Sequence, residues 1–593
     1  MTLKPSVPAP PQQASSSQEF APQSAPRFSL WSRTAAKVLL ALGISLYLAG
    51  PPWHLDRLHR GIDFHEQLHL GPLQAIDKGH LIDVGPAATA YGPGSQLVTY
   101  RFMKSTGHFD IVSYREAGAF IFLVTMFVFC LIAFLFLGVG WGLAALLFGL
   151  AYSPLHFFFW QPDGTLDGFH GWGNGFRYLG AIVVEPSMAV LLRSRWNRRF
   201  PALPAIALGL IFGLFCWLSQ ENLSATVTGG GVLLCLLWLT ETTSLQAVLK
   251  LTGNMLCGFA VFWLPVFLYY EVHGAVQDFL LAFFLYPGTV FRGYSNNYWS
   301  SVPGDPLAKV EAFHFMAVFL IGVGICTLTE MRGFRLRRQL DASKTLLLAF
   351  LFALAASYPT SMFRSDSSHL MNTLIALPFV LVLALRDLPQ WIATRPSARW
   401  AARIALIAIF FYLFPLEPFV AKIYPTLVRP LARFVSSRPP QSPNRDGRVP
   451  FLRATRYLCD EPQVCNGNVS MRQFLEEASA VRELIGNRKT YVQDFPGTYV
   501  GLVYFMLDLD PAPYLLDKHL MIINTKLEQE ALVYFKDRAD QCEAMIAVDK
   551  NSPEVAIFEE AHPHAAILNR FLGKRPYYLL LAPTQLPAQQ ATP

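Results

Sequence analysis

Charge is scarce in this sequence: Asp, Glu, Lys and Arg make up only 15% of its 593 residues, against about 25% in an ordinary soluble protein. A soluble chain of this length needs far more polar surface to cover its core, so a purely soluble protein is excluded. Phosphate loops are missing as well. The chain holds neither a Walker sequence nor a Gly-x-Gly-x-x-Gly run, which disfavours a nucleotide sugar or nucleoside triphosphate as direct substrate. No internal repeat is visible, which weighs against a secondary transporter built from inverted halves. Of eight cysteines, Cys130, Cys216, Cys235, Cys257 and Cys326 lie in apolar runs and read as small hydrophobes. Cys459, Cys465 and Cys542 lie in the polar C-terminal part, where Cys459 and Cys465 are close enough to bridge if that part is extracytoplasmic.

What the chain has is apolar surface. Hydrophobic residues reach 53%, Phe alone occurs 47 times, and the formal charge of +7 is spread mostly over short loops, so no nucleic-acid partner is expected. The composition predicts an α-helical polytopic membrane protein of about eleven transmembrane helices, followed by a small extracytoplasmic α/β domain. The first run, Lys37 to about Pro51, reads as an uncleaved signal anchor. Others are expected at about 118–138, 141–160, 178–192, 202–218, 226–240, 251–270, 312–330, 345–359, 370–385 and 402–422. With the N-terminus inside, one side collects Arg193, Arg195, Arg198 and Arg199, then Arg332, Arg335, Arg337, Arg338 and Lys344, then Arg386, Arg395 and Arg399. Basic loops of that kind face the cytoplasm. The implied home is the inner (plasma) membrane, with the C-terminal domain outside.

The expected organisation is a disordered cytoplasmic tail over 1–35, a transmembrane part over 36–424 whose first external loop is 52–117, and a Pro/Arg/Ser-rich linker over 425–450. The extracytoplasmic domain spans 451–583, before a frayed tail over 584–593. Within that domain Met471–Ile485 and Leu527–Asp540 read as helices, and Lys489–Phe495, Ala544–Val548 and Tyr577–Leu581 as strands.

On this topology the unusual polar residues gather outside. The first external loop carries Asp63-Phe64-His65-Glu66, then Ala75-Ile76-Asp77-Lys78-Gly79, then Tyr91-Gly92-Pro93-Gly94. Later loops carry Asp163, Asp167, His170 and Arg177, the turn Gln220-Glu221-Asn222, Tyr286-Pro287 with Arg292, and Arg364-Ser365-Asp366-Ser367-Ser368-His369. Ionisable groups at a membrane boundary are costly unless paired or hydrated, so their one-sided concentration suggests a shared cavity. Asp63 and Glu66 fall on one helical face, where like charges raise one acid toward a useful base. His65 reads as a hydrogen-bonded scaffold or a metal ligand. Glu221 needs a partner between apolar helices: pairing with an arginine and a site role both fit. Arg364, Asp366 and His369 fit a salt-bridged turn or an anion site, and Tyr91-Gly92-Pro93-Gly94 a turn back toward the membrane.

The Asp-x-His-Glu, Ala-x-x-x-Gly and Tyr-Gly-Pro segments in order resemble membrane glycosyltransferases of the GT-C fold, which use polyprenyl-phosphate sugars. Arg364-x-Asp366-x-x-His369 and Gly-Phe-Arg177-Tyr-Leu resemble motifs of the bacterial members, and the C-terminal external domain is similar. The resemblance implies inverting transfer of a sugar from a polyprenyl-phosphate donor to a glycan, lipid or protein acceptor. Asp63 would be the base, with Glu66 orienting it or sharing the role, and Arg364, His369, Arg177 and Arg292 would bind the donor phosphate. His65, Tyr91, Glu221 and Asp366 would support them. No cofactor is demanded, although some enzymes of this kind use a divalent metal, for which Asp63, His65 and Glu66 could supply ligands. A secondary transporter and a polysaccharide ligase or polymerase are the alternatives.

Overall fold

The computed structural model describes residues 27–49, 64–88, 92–152, 155, 176–193, 202–285, 342–357, 373–392, 395–413, 427, 471–496, 500–511, 529, 532–533 and 535–583, with the backbone alone over several helix ends, 64–68 among them. Asp63, Tyr91, Arg292, Arg364, Asp366, His369, Cys459, Cys465 and the run 312–330 lie outside the described residues. The helix expected over Leu527–Asp540 lies within them only in part.

Helices occupy the described part of each of the other expected apolar runs. They are α1 (Arg27–Ala49), α4 (Ile111–Leu137), α5 (Val139–Tyr152), α6 (Leu179–Arg193), α7 (Ala202–Leu218), α8 (Glu221–Leu239), α9 (Leu245–Val272), α11 (Ala342–Ser357), α12 (Leu377–Ile392) and α13 (Pro396–Leu413). Two amphipathic helices, α2 (Phe64–Asp77) and α3 (Pro93–Ser105), occupy the stretch expected to be the first loop, and a short α10 (Val276–Leu280) follows α9. Among the described residues, segments Ser32–Ala49, Ser113–Leu137, Glu221–Leu239 and Leu245–Val272 are long and apolar enough to cross a membrane.

Local chemistry sets the helix boundaries. Asp110 accepts from the Ser113 amide at 2.7 Å while Ser113 Oγ accepts from the Asp110 amide at 3.0 Å, a reciprocal cap that opens α4. Gly138, at φ +80°, separates α4 from α5, a conformation costly for any residue with a Cβ. Ser244 caps α9 through the Ala247 amide.

Packing follows aromatic layers and glycine contacts. Phe350 stacks on Phe379 at 4.4 Å and Phe129 meets the same ring at 4.9 Å, joining α4, α11 and α12. The tightest crossing is α7 on α9. A Cβ at Gly209 would lie 2.0 Å from the Met255 carbonyl oxygen, and one at Gly258 2.0 Å from that of Ile206. Lipid tails are as apolar as Leu, so helices in a bilayer associate largely through close approach of this kind.

The C-terminal residues form a five-stranded mixed sheet. Its strands are β1 (Lys489–Val492), β2 (Asp510–Pro511), β3 (Ala544–Ala547), β4 (Ala566–Leu572) and β5 (Arg575–Leu581), in the order β2-β1-β3-β5-β4. Strand β1 runs parallel to β2 and β3, while β5 runs antiparallel to β3 and β4. Helices α14 (Met471–Ile485), α15 (Val500–Met506) and α16 (Pro553–Ala561) accompany it. The helix expected at 471–485 and the strands near 489, 544 and 577 are present; β2, β4, α15 and α16 are additional. Burial pushes the Cys542 thiol up to about 12, where its Sγ donates to the Ala544 carbonyl at 3.1 Å, so it reads as a core residue.

The α7–α9 crossing sets a stability expectation. Gly258→Ala drives a methyl group into a backbone carbonyl that cannot yield, and should cost about 1–3 kcal/mol. Gly231→Ala, on an open face of α8, should be neutral. Thermal unfolding of the two variants in detergent checks the difference.

Candidate functional site

Three helix ends meet where α6 begins, α7 finishes and α8 begins. The segment Phe176-Arg177-Tyr178 enters α6 with Tyr178 at φ +55°, a strained setting for an aromatic residue. Asn222, fully buried in the first turn of α8, holds the entry in place. Its Nδ2 donates to the carbonyls of Phe176 and Phe215 at 3.0 Å and of Ser219 at 3.1 Å, and its Oδ1 accepts from the Gly180 amide at 2.8 Å. Gly180 is required by this arrangement, since a Cβ there would lie 2.8 Å from Asn222 Oδ1 and from Phe215 Cβ.

Beside this hub Arg177 Nε donates to Glu221 Oε1 at 2.9 Å, with the side chains 11% and 7% exposed. Ser219 Oγ donates to the other carboxylate oxygen. Glu221 also sits in the first turn of α8, where the helix dipole favours a negative charge. Of the two readings open for Glu221, pairing with an arginine is the one observed, and its partner is Arg177, a residue assigned to the donor phosphate. The pair joins the entry of α6 to the first turn of α8, 44 positions apart in the chain.

Helix α3 is laid over the same end. Gly92, at φ +94°, caps it, and Pro93 takes its first position. A Cβ on Gly94 would lie 2.5 Å from Trp217 Cε3 and 2.8 Å from the Trp217 carbonyl oxygen. Ser95 Oγ donates to the Leu218 carbonyl. The Gly92-Pro93-Gly94 segment therefore opens a helix pressed on the end of α7, with Gly92 in a positive-φ conformation and Gly94 allowing close approach; Tyr91, the start of the expected turn, lies outside the described residues.

His65 and Glu66 lie on α2, one and two residues after its start. The Ala75–Gly79 segment ends that helix, with Gly79 at φ +95°. Asp77 pairs with Lys104 of α3 at 2.5 Å, and Lys78 pairs with Asp508 at 3.0 Å. Among the described residues no three His, Cys, Asp or Glu side chains gather as a metal-ligand set; the side chains of Asp63, His65 and Glu66 lie outside them.

One buried acid escapes a reading by loops. Glu185, midway along α6, is fully buried, and neither carboxyl oxygen has a hydrogen-bond partner among the described residues. It occupies room left by α8: a Cβ on Gly229 would fall 2.6 Å from Glu185 Oε1. The signal available in sequence was an acid inside an apolar run, where ionisable residues are rare.

Removing one member of the Arg177–Glu221 pair leaves a buried charge uncompensated. Arg177→Met should destabilise by about 3–5 kcal/mol. The double variant Arg177→Met, Glu221→Leu should lose less than the two single variants together. Denaturant unfolding of the four proteins in a double-mutant cycle checks this non-additivity.

No protein-family model matches the chain, and no curated protein sequence matches it. Solved structures do. ArnT from Cupriavidus metallidurans bound to undecaprenyl phosphate aligns with a TM-score of 0.46 and 14% identity, covering 94% of this chain and 100% of that one. The archaeal oligosaccharyltransferase AglB from Archaeoglobus fulgidus, in complex with an inhibitory peptide and a dolichol-phosphate, aligns with a TM-score of 0.40 and 12% identity, covering 95% of this chain and 76% of that one.

Proposed function

We propose that this chain is an integral-membrane glycosyltransferase that moves a sugar from a polyprenyl-phosphate donor to an extracytoplasmic acceptor. The observation that carries the reading is the gathering of polar groups at one end of the apolar helices. Arg177, Glu221, Ser219 and Asn222 meet there, with α3 laid over them and α2, the bearer of His65 and Glu66, beside α3. A lipid-linked substrate needs this division, with its tail among helices and its phosphate at a polar mouth.

In the proposed reaction an acceptor hydroxyl gives its proton to Asp63, with Glu66 orienting that base or sharing its role. The acceptor oxygen attacks the anomeric carbon as the bond from that carbon to the phosphate oxygen breaks. Configuration inverts, and polyprenyl phosphate leaves with the bonding pair. Arg364 and His369 would meet the charge growing on the phosphate, with Arg177 and Arg292 beside them. Glu221 and Ser219 then serve to hold Arg177. A guanidinium about 4 Å from a phosphate oxygen gains about 4 kcal/mol at an effective dielectric near 20, against about 1 in water, so such residues act best at a partly dry mouth. The orientation proposed is N-terminus cytoplasmic, with both the mouth and the C-terminal sheet outside the inner membrane.

Lipid mass spectrometry tests this on cells that lack the gene and are complemented with the wild type or with the Asp63→Asn, Glu66→Gln double variant. A polyprenyl-phosphate sugar should accumulate in the deletion, and only the wild type should clear it. An unchanged lipid pool, or full clearance by the double variant, would overturn the assignment.

A further inference from the structure

The C-terminal sheet is fastened to α2, and the fastening falls on a weak point of that helix. Pro72 lies inside α2. It has no N–H to give the carbonyl four residues earlier, so one bond of the ladder that ties the first half of α2 to the second is missing there. At the adjoining residue the backbone of α2 meets the backbone of α15: a Cβ on Gly71 would lie 2.9 Å from the Gly501 α-carbon. Just past the break, Gln74 Nε2 donates to Asp508 Oδ1 and to the Leu509 carbonyl, both at 3.0 Å. Lys78 adds its ion pair to Asp508, and His80 Nε2 lies 3.5 Å from Asp510 Oδ1.

The platform that receives these contacts is itself anchored. Tyr504 of α15 is fully buried; its hydroxyl donates to the Thr490 carbonyl at 3.0 Å and accepts from the Val492 amide at 2.7 Å, tying α15 to β1. Asp508 adopts φ +50° just after α15, a setting Asp tolerates better than most residues. Gln74 of α2 and Lys78, just past its end, share one oxygen of that carboxylate, so one side chain takes a polar contact from each.

We infer that the C-terminal unit positions α2, with Asp508 as the positioning residue that fixes the helix bearing His65 and Glu66 across its proline break. This rests on the proposed function only in giving α2 a catalytic acid to position; the mechanical claim stands on the contacts alone. Misplacing a reacting group by about 1 Å can cost about 100-fold in rate, so an acid borne on a broken helix needs support from outside that helix.

Hydrogen exchange read by mass spectrometry on the full chain in lipid nanodiscs tests the mechanical claim. In Asp508→Ala, amide exchange over 64–70 should rise by about tenfold or more, while α4 and strands β3 and β5 keep their protection. Asp508→Asn, which keeps an acceptor for Gln74, should restore most of it. Gly71→Ala approaches the same contact from the membrane side and should give the same rise, which decides the matter if Asp508→Ala loosens the sheet itself. Unchanged exchange over 64–70 in Gly71→Ala and in a folded Asp508→Ala would overturn the inference. In complemented deletion cells, Asp508→Ala should clear the accumulated lipid about tenfold more slowly than wild type, and Asp508→Asn should recover. Clearance by Asp508→Ala at the wild-type rate overturns the catalytic side of the inference. A wild type that clears nothing sinks the proposed function instead, and exchange alone then decides the positioning.

Discussion

The end of the helical bundle depends on Asn222. Each helix terminus leaves backbone donors or acceptors without intrahelical partners, and away from bulk water an unsatisfied group costs several kcal/mol. Here the start of α6 and the end of α7 meet on one amide side chain at the start of α8, which donates to Phe176, Phe215 and Ser219 and accepts from Gly180. Only an amide offers a donor and an acceptor at this spacing; a carboxylate would repel three carbonyls. The Arg177–Glu221 pair sits on this frame. Its geometry is set by residues 176 and 222, which flank it and do not themselves carry charge.

The helices were legible in the sequence because their apolar runs are unbroken over a dozen residues or more, and such runs have few alternatives. The polar end was legible only as a list of loops. That Glu221 would find Arg177 follows from tertiary proximity across 44 positions, to which no periodicity points. The Gly92-Pro93-Gly94 segment shows what a turn motif leaves unsaid. Gly and Pro signal a turn when they serve conformation, but here Gly94 also serves contact with Trp217, and contact partners do not appear in a local pattern. Glu185 was hidden for the opposite reason: a single acid barely alters the apolar average of its run.

Glycine does two distinct jobs in this chain, and they separate by element. Between α7 and α9, Gly209 and Gly258 let two long helices approach backbone to backbone, where extra hydrophobic area gains little in a lipid solvent. Between α8 and α6, Gly229 leaves a recess filled by the Glu185 side chain. The first job tolerates no Cβ because the opposing atoms are backbone. The second is open to exchange if the opposing side chain shrinks with it, so compensating pairs are expected at positions 185 and 229 and not at 209 and 255.

The same logic bears on what the C-terminal sheet is for. An appended module would meet the membrane part through exposed, exchangeable side chains. Instead Gly71 meets Gly501 by backbone, Phe109 packs on Phe505 with ring centroids 5.6 Å apart, and Gln74 reaches a buried main-chain carbonyl at Leu509. Contacts of that type are set by the main chain and leave little room for side-chain exchange. A truncated membrane part would expose the α2 face at Gly71 and leave Gln74 without two acceptors in an already broken helix. The C-terminal unit is therefore a fixed seat for α2, built from residues more than 400 positions away from the helix it supports.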